Sequence, residues 1–186
     1  MWNTGNHKGD SAPKTLIFLG DSLTEFFDWQ RRFAGYRVIN LGISGEPVEG
    51  LSGRMEGVCS SIERPDFVFL MTGINNIAME DHDIIGPYKK ILTALGSAFR
   101  EATIVVQNIL PVKLSWVDNK VIEKTNALLR EAAKEFHAEY LDLYSLFVDH
   151  RGGPKAEYLL EDGVHLSPRG YEAWAKAVED FLAAKT

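Results

Sequence analysis

Short runs of consecutive apolar residues recur along the chain, and glycine, asparagine, aspartate or proline bounds each of them. A run of this kind is typical of a strand that is buried on both faces, as the strands of a parallel sheet are. The bounding residues are those that favour turns. The pattern predicts five strands, at residues 16–19, 36–41, 67–72, 103–108 and 139–143.

Between these runs the apolar residues follow a different spacing. They recur every three or four positions, which places them on one face of a helix, within residues 84–99, 121–136 and 171–182. These faces are interpreted as core, because a helix that covers a parallel sheet presents an apolar face to it. Strands that alternate with helices imply right-handed crossovers. The sequence therefore predicts an α/β fold, a three-layer sandwich with helices on both faces of the sheet.

The polar residues of interest follow the predicted strands. Residues 21–22, 42–45 and 73–76 each come directly after one of these runs. In an open parallel sheet the ligand site lies at the carboxyl ends of the strands, near the point where the strand order reverses. We therefore expect any chemistry at this edge.

Length and charge narrow the classes of function. A chain of 186 residues fits one domain, predicted at residues 15–186 after a polar tail at residues 1–14. The formal net charge of −6 offers no basic surface for a phosphate backbone, which argues against nucleic acid as a partner. Cys59 is the only cysteine, so no internal disulfide forms, and it is interpreted as a small buried residue on a helix.

The tail at residues 1–14 contains no apolar run. Neither a signal peptide nor a membrane-spanning helix is indicated there, so the expectation is a cytoplasmic protein without stable membrane insertion. The sequence leaves the oligomeric state open.

Ser22 stands in the segment GDSLT, residues 20–24, directly after the first predicted strand. A serine there holds its hydroxyl at the start of a helix, where free N–H groups stabilise the negative charge that develops during acyl transfer. The alternative is a plain helix N-cap, a position at which serine is common.

The segment DGVHLSP, residues 162–168, supplies possible partners for this serine just before the last predicted helix. A neutral His165 can accept the serine proton as general base, and the Asp162 carboxylate can fix the imidazole tautomer through the other ring nitrogen. The alternative for His165 is local, namely help in capping the helix that begins near Pro168.

Acyl transfer also needs donors for the oxyanion, and two of the strand-end loops contain candidates. Gly45 in NLGISG, residues 40–45, can bring its N–H close to a substrate oxygen, with Gly42 as the alternative in the same loop. Asn75 in GINN, residues 73–76, carries a side-chain NH₂, and the Ser22 N–H is a third donor. Glycine and asparagine are also common in turns for purely conformational reasons.

Taken in this order, the four blocks resemble the SGNH hydrolase superfamily, also called GDSL-type esterases and lipases. The blocks are GDSL at residues 20–23, the glycine block ending at Gly45, G-x-N at residues 73–75 and D-x-x-H at residues 162–165, and they span nearly the whole chain. The resemblance implies a flavodoxin-like five-stranded sheet in the order 2-1-3-4-5. It also implies a serine carboxylic ester hydrolase that needs no metal and no organic cofactor.

The resemblance further implies a role for each motif residue. Ser22 would be the nucleophile, His165 the base and Asp162 the carboxylate that orients it. The Ser22 N–H, the Gly45 N–H and the Asn75 side chain would form the oxyanion hole. One position departs from the pattern: the family often has aspartate after the oxyanion asparagine, and this chain has Asn76. The support that this carboxylate gives to nearby loops is therefore in question.

The substrate is narrowed only to a small-molecule ester. Phe26 and Trp116 are candidates for lining an acyl or aryl pocket, with core packing as the alternative. No long apolar lid segment is visible, which favours short acyl or acetyl esters. The alternatives are a lysophospholipase or thioesterase with the same triad, acyl transfer between alcohols, and a catalytically silent protein that binds a carbohydrate or acyl group.

Two other segments combine acidic residues with a histidine. The segment EDHD at residues 80–83 precedes a helix, where carboxylates favourably face the helix dipole, so a metal site is not predicted there. Asp149 and His150 are followed by RGGP, which is typical of a solvated loop.

Overall fold

The computed structural model describes residues 12–185. The predicted polar tail at residues 1–14 therefore lies almost wholly outside the described residues. The sheet consists of the strands β1 (Thr15–Gly20), β2 (Arg37–Gly42), β3 (Phe67–Met71), β4 (Thr103–Gln107) and β5 (Glu139–Leu141). All neighbouring strands pair in parallel, and their order is β2-β1-β3-β4-β5. The predicted α/β architecture and strand order are confirmed.

Helices connect the strands and cover both faces of the sheet. They are α1 (Ser22–Glu25), α2 (Trp29–Arg32), α3 (Val48–Ser61), α4 (Ile74–Ala78), α5 (Ile85–Ala98), α6 (Asn119–Glu135), α7 (Tyr144–Phe147) and α8 (Pro168–Ala183), with a short 3₁₀ helix at Ala156–Tyr158. The crossover from β1 to β2 runs in the opposite direction to the later ones, so right-handed connections place it on the other face. Within residues 12–185, no helix is long and apolar enough to cross a membrane.

Strand β1 lies near the centre of the sheet and is wholly buried. Aromatic rings lock the covering helices onto it: Phe18 stacks on Trp29 of α2 with ring centroids 4.0 Å apart, and Trp174 of α8 meets Trp29 edge-on at 4.8 Å. The Trp174 indole donates to the Gln107 side chain at the end of β4 over 2.7 Å. Packing and this hydrogen bond together fix α8 relative to the strand ends.

The ends of β1 and β2 approach their neighbours too closely for any side chain. A Cβ on Gly20 would lie 2.2 Å from the Met71 carbonyl oxygen, and one on Gly42 would lie 2.3 Å from the Glu25 nitrogen. Glycine at both positions lets α1 begin immediately after β1 and pack across the end of β2. The residue that opens α1 is Ser22.

Candidate active site

Ser22 is the first residue of α1, and its side chain is largely buried, with the residue 5% exposed. Asp21 is the N-cap of this helix: its carboxylate accepts from the Leu23 N–H over 3.0 Å. The capping role proposed as the alternative for Ser22 is therefore filled by its neighbour. The Ser22 hydroxyl is left for other contacts at the helix N-terminus.

The Asp21 carboxyl group is buried directly beside the serine, at 1% exposure. Burial raises the pKa of Asp21 from 3.8 to about 7, and the hydrogen bond from Leu23 and the proximity of His165 offset only part of this effect. On α8, the Tyr171 hydroxyl donates to the Leu23 carbonyl over 3.0 Å, which joins α8 to α1 next to this carboxyl group.

His165 and Asp162 continue the chain of contacts that begins at Ser22. The His165 Nε2 atom lies 3.0 Å from the Ser22 Oγ, and its Nδ1 lies 2.7 Å from the Asp162 Oδ2. The second Asp162 oxygen accepts from the Val164 and His165 N–H groups, each over 2.9 Å. The N-cap of α8 is Ser167, so capping does not engage the His165 ring. The structure brings together the three residues predicted as a triad.

These hydrogen bonds also set the charge of the Asp162 carboxyl group. Burial alone would raise its pKa, but the hydrogen bonds from Val164 and from the His165 ring and N–H outweigh burial and hold the pKa below its usual value. An ionised carboxylate beside Nδ1 favours a proton on that nitrogen and leaves Nε2 free to accept one.

The loop that carries this pair is anchored to the segment after β4. Gly163 accepts from the Lys113 N–H over 2.7 Å, and a Cβ on Gly163 would lie 2.5 Å from the Lys113 carbonyl oxygen. With φ at +75°, the position requires glycine for conformational as well as steric reasons. The histidine is thus placed by backbone contacts that leave its side chain free to reach Ser22.

Gly45 occupies a tight turn after β2, here called the glycine turn and comprising residues 43–46. The Glu46 N–H donates to the Ile43 carbonyl over 3.2 Å, and Gly45 has φ at +75°, the conformation that favours glycine in the third position of a type II turn. The Ser44 N–H donates to the Glu25 side chain over 2.7 Å. By contrast, the N–H of Gly42, the alternative donor, is bonded to the Asn40 side chain over 3.0 Å.

Asn75 lies in the first turn of α4 and reaches towards the glycine turn. Its Nδ2 donates to the Glu46 carbonyl over 3.1 Å. Because an amide NH₂ has two hydrogens, one remains for a ligand. The preceding Gly73 has φ at +124°, and a Cβ there would lie 2.8 Å from the Ile109 side chain, so glycine is required for α4 to begin at this point.

Asn76, where the family often has aspartate, is 1% exposed and fully engaged. Its Oδ1 accepts from the Val48 N–H over 2.9 Å at the start of α3, a helix that has no side-chain cap from its own N-cap residue, Pro47. Its Nδ2 donates to the carboxylates of Glu49 and Asp81 over 2.8 and 3.1 Å. An aspartate could accept from Val48 but would face two other carboxylates. Asparagine supports the same loops without that repulsion.

A cavity of about 340 Å³ opens above these residues. Its polar lining includes Ser22, Ser44, Gly45, Asn75, Asp162 and His165, and its apolar lining consists of Ile74, Ala78, Leu114, Trp116 and Val164. The Trp116 indole donates to the Ala78 carbonyl over 3.2 Å and is 61% exposed, which places it at the mouth. Phe26, the other predicted lining residue, lies outside this cavity, with its ring centroid 5.4 Å from that of His165.

The acidic segment at residues 80–83 has a structural contact. Asp81 accepts from the Asn76 side chain and from the Asp83 N–H, over 3.1 and 3.3 Å. Within the described part of the chain, no group of three histidine, cysteine or acidic side chains is placed to hold a metal ion.

A parallel α/β sheet whose carboxyl end joins a serine, a histidine and an aspartate by hydrogen bonds defines the class of α/β serine hydrolases. The model of the GDSL-like Lipase/Acylhydrolase family matches residues 18–173, and the chain belongs to this family. It is a carboxylic ester hydrolase, as the sequence predicted.

Individual relatives differ in what they act on. The chain is 28% identical to platelet-activating factor acetylhydrolase IB subunit alpha1 from Rattus norvegicus, over 97% of this chain and 82% of that protein. It is 25% identical to an acetylxylan esterase from Geobacillus stearothermophilus, over 77% and 70%. A solved structure from Streptococcus pneumonia, provisionally assigned as a platelet activating factor, matches with a TM-score of 0.81 and 26% identity over 95% of this chain and 87% of that one.

Proposed function

We propose that this protein hydrolyses short-chain acyl esters, acetyl esters above all, through an acyl-enzyme on Ser22. The observation that carries the proposal is the continuous contact from Asp162 through His165 to the Ser22 Oγ, which lies at a cavity that a small acyl group can enter. Each of the three side chains then has a defined part in moving one proton.

In the first step, His165 Nε2 takes the Ser22 proton while the Oγ attacks the ester carbonyl carbon. The imidazolium that forms is stabilised by Asp162, which accepts from Nδ1–H. The tetrahedral intermediate collapses, the carbon–oxygen bond to the alcohol breaks, and His165 returns the proton to the leaving alcohol. Water then attacks the acyl-enzyme with the same base, and this step releases the acid and regenerates Ser22.

The negative oxygen of each tetrahedral intermediate needs donors that are already in place. The Ser22 N–H lies at the N-terminus of α1, where backbone N–H groups have no partner within the helix. Gly45 and Asn75 border the same cavity and would supply the Gly45 N–H and the second Asn75 amide hydrogen. The three donors come from three different strand ends. This mechanism uses only side chains and backbone groups of the chain, with water as co-substrate, and it calls for no metal or organic cofactor.

The preference for short acyl groups rests on the size and lining of the cavity. A volume of about 340 Å³ lies at the lower end of the range for small-molecule sites, and Trp116 narrows the mouth. Two relatives, the acetylhydrolase subunit and the acetylxylan esterase, are named for acetyl groups. The same two names differ in the other part of the substrate, platelet-activating factor in one and xylan in the other, so the proposal covers the acyl side of the ester only.

A panel of p-nitrophenyl esters from acetate to palmitate tests this proposal. We expect turnover to be greatest for acetate to butyrate and to disappear in Ser22→Ala. The matched control is Ser97→Ala, which removes an exposed hydroxyl at the opposite end of the sheet and should leave turnover unchanged. An optimum at palmitate would instead support a lysophospholipase or thioesterase. No hydrolysis by the wild-type protein, with acyl or sugar ligands still bound, would indicate a silent binding protein.

A further inference from the structure

Arg54, in the second turn of α3, binds the glycine turn through the Glu46 side chain. Its Nε and Nη2 atoms donate to the two carboxylate oxygens of Glu46, each over 2.7 Å, and Nη2 also donates to the Leu41 carbonyl over 2.7 Å. The pair is well shielded, with side-chain exposures of 23% for Arg54 and 10% for Glu46. A two-point contact of this kind fixes orientation as well as distance.

Glu46 is linked to both loop residues that are proposed to bind the oxyanion, to Gly45 through the chain and to Asn75 through a hydrogen bond. It follows Gly45 directly in the glycine turn, and its carbonyl accepts from the Asn75 Nδ2 over 3.1 Å. Contacts of the Glu46 side chain therefore help to fix the position of the Glu46 carbonyl. That carbonyl in turn orients the Asn75 amide. A shift at Glu46 moves both donors together.

Few contacts hold the rest of the glycine turn, and one of them is a backbone hydrogen bond from the Ile43 N–H to the Gly20 carbonyl over 3.0 Å. Ile43, Ser44 and Gly45 are all exposed, so packing does not fix their positions. One other side chain anchors the turn: Glu25 accepts from the Ser44 N–H over 2.7 Å. The turn is thus tied to β1 through the Ile43 N–H, to α1 through Glu25 and to α3 through Arg54.

We infer that Arg54 is a positioning residue for ester hydrolysis, which acts through Glu46 to hold the Gly45 N–H and the Asn75 amide where the oxyanion forms. This inference rests on the proposed function, because it assigns a role to Arg54 only if those two groups are the donors. Donors lower the barrier when they are aimed at the oxyanion before it forms, and a turn that must be ordered in each catalytic cycle loses part of that effect.

The first test measures steady-state kinetics of Arg54→Lys and Arg54→Met on a short-chain p-nitrophenyl ester. We expect kcat to fall about tenfold to hundredfold, less than the ~10²–10³ that loss of an entire donor removes, while KM changes less than about threefold. The matched control is Arg32→Lys. Arg32 has a similar side-chain exposure of 25% and bonds two glutamates, but these lie on α8, away from the glycine turn. Its kcat should match that of the wild type.

Two further readouts separate positioning from a general loss of structure. A boronic acid forms a tetrahedral adduct with the serine Oγ, and its affinity should fall in Arg54→Met by the same factor as kcat/KM. In an Asn75→Ala background, Arg54→Met should lower kcat by a smaller factor than in the wild type, because part of what it positions is already gone. Glu46→Gln should reproduce the kinetic effect of Arg54→Met. The variant that combines these two substitutions should have a kcat no lower than that of either single variant.

The outcomes distinguish this inference from the proposed function. If Ser22→Ala abolishes hydrolysis while folded Arg54→Lys and Glu46→Gln keep wild-type kcat and boronate affinity, the role of Arg54 is overturned and the proposed function stands. An equal loss from Arg54→Met with and without Asn75 would also overturn it. If Ser22→Ala leaves hydrolysis intact, the proposed function itself fails.

Discussion

The two ends of the sheet each have a cavity, and the larger one is at the end opposite the triad. At the carboxyl end, about 340 Å³ is bordered by Ser22, Asn75 and His165. At the amino end, about 720 Å³ is bordered by several charged side chains, which are Lys14, Arg64, Asp66, Arg100, Glu101 and Lys185. The larger volume is therefore at the end that lacks the contact between Ser22 and His165.

The polar groups of the two cavities differ in what they bond. At the amino end, the Asp66 carboxylate accepts from the Thr15 N–H over 2.7 Å and ties the start of β1 to the loop before β3. At the carboxyl end, the hydrogen bonds run from side chain to side chain and finish at the Ser22 hydroxyl, which faces the cavity. Polar groups that are arranged towards a cavity indicate function, whereas groups that serve the strands indicate stability.

Replacement of His165 gives the largest effect expected from this comparison. His165→Gln keeps a polar side chain but removes the proposed base, so kcat should fall by a factor on the order of 10⁴ to 10⁶. His150→Gln is the matched control, because His150 also follows the strands, stands beside an aspartate and is exposed. Equal kcat values for the two variants, measured on the same short-chain ester, would mean that His165 contributes no more to hydrolysis than His150 does.

A smaller effect, on stability, is expected from Asp21. In the folded protein its pKa is raised from 3.8 to about 7, so the folded state binds a proton more tightly than the unfolded state does. The stabilisation from this proton is complete below pH 4 and is lost as the pH rises through 7. Asp21→Asn keeps the acceptor for Leu23 and removes the ionisation.

Urea unfolding at a series of pH values measures this effect. Relative to the wild type, Asp21→Asn should gain at least about 1 kcal/mol in free energy of unfolding between pH 4 and pH 8. Parallel stability curves for the two proteins would mean that Asp21 ionises as freely in the folded state as in the unfolded one. This pH dependence of the free energy of unfolding would arise at the carboxyl end of the sheet, beside Ser22.

No effect on turnover is expected from filling the cavity at the amino end. Cys59, the single cysteine of the chain, borders that cavity, and partial burial raises the pKa of its thiol. A maleimide should therefore label it slowly, and kcat of the fully labelled protein should equal that of the unlabelled protein within about twofold. Cys59→Ser treated in the same way controls for labelling elsewhere. Inhibition that depends on Cys59 would show that the amino end contributes to turnover.

The sequence predicted those parts of the fold that depend on local patterns. β1 and β3 are buried along their whole length, and continuous apolar runs predict such strands. The stripes on α5, α6 and α8 mark helices that present one face to the sheet. The motif blocks indicated the triad and the oxyanion candidates through the resemblance. Ser22, Gly45 and Asn75 follow strand ends, whereas Asp162 and His165 lie in the loop before α8.

Features that depend on contacts between distant segments were not predictable. The bounds of helix α3 were not predicted, because Gly50, Gly53 and Gly57 reduce its helix propensity, although its buried residues keep a helical spacing at Val48, Leu51, Met55 and Val58. Without those bounds, nothing in the sequence relates Arg54 to Glu46. The engagement of Asn76 by two carboxylates likewise depends on how α3 and α4 meet, which no local pattern encodes. Phe26 and Trp116 are both exposed aromatic residues, and only their placement separates one that lines the cavity from one that does not.

The contact between Ser22 and His165 joins residues that are 143 positions apart in the chain. During synthesis at about 5–20 residues per second, the ribosome therefore makes Ser22 on the order of 10 s before His165. Throughout that interval, the nascent chain contains Ser22 without the histidine to which it is hydrogen-bonded in the folded protein. On the proposed mechanism, hydrolysis begins only when the His165 loop has reached Ser22, so the onset of activity reports that this long-range contact has formed.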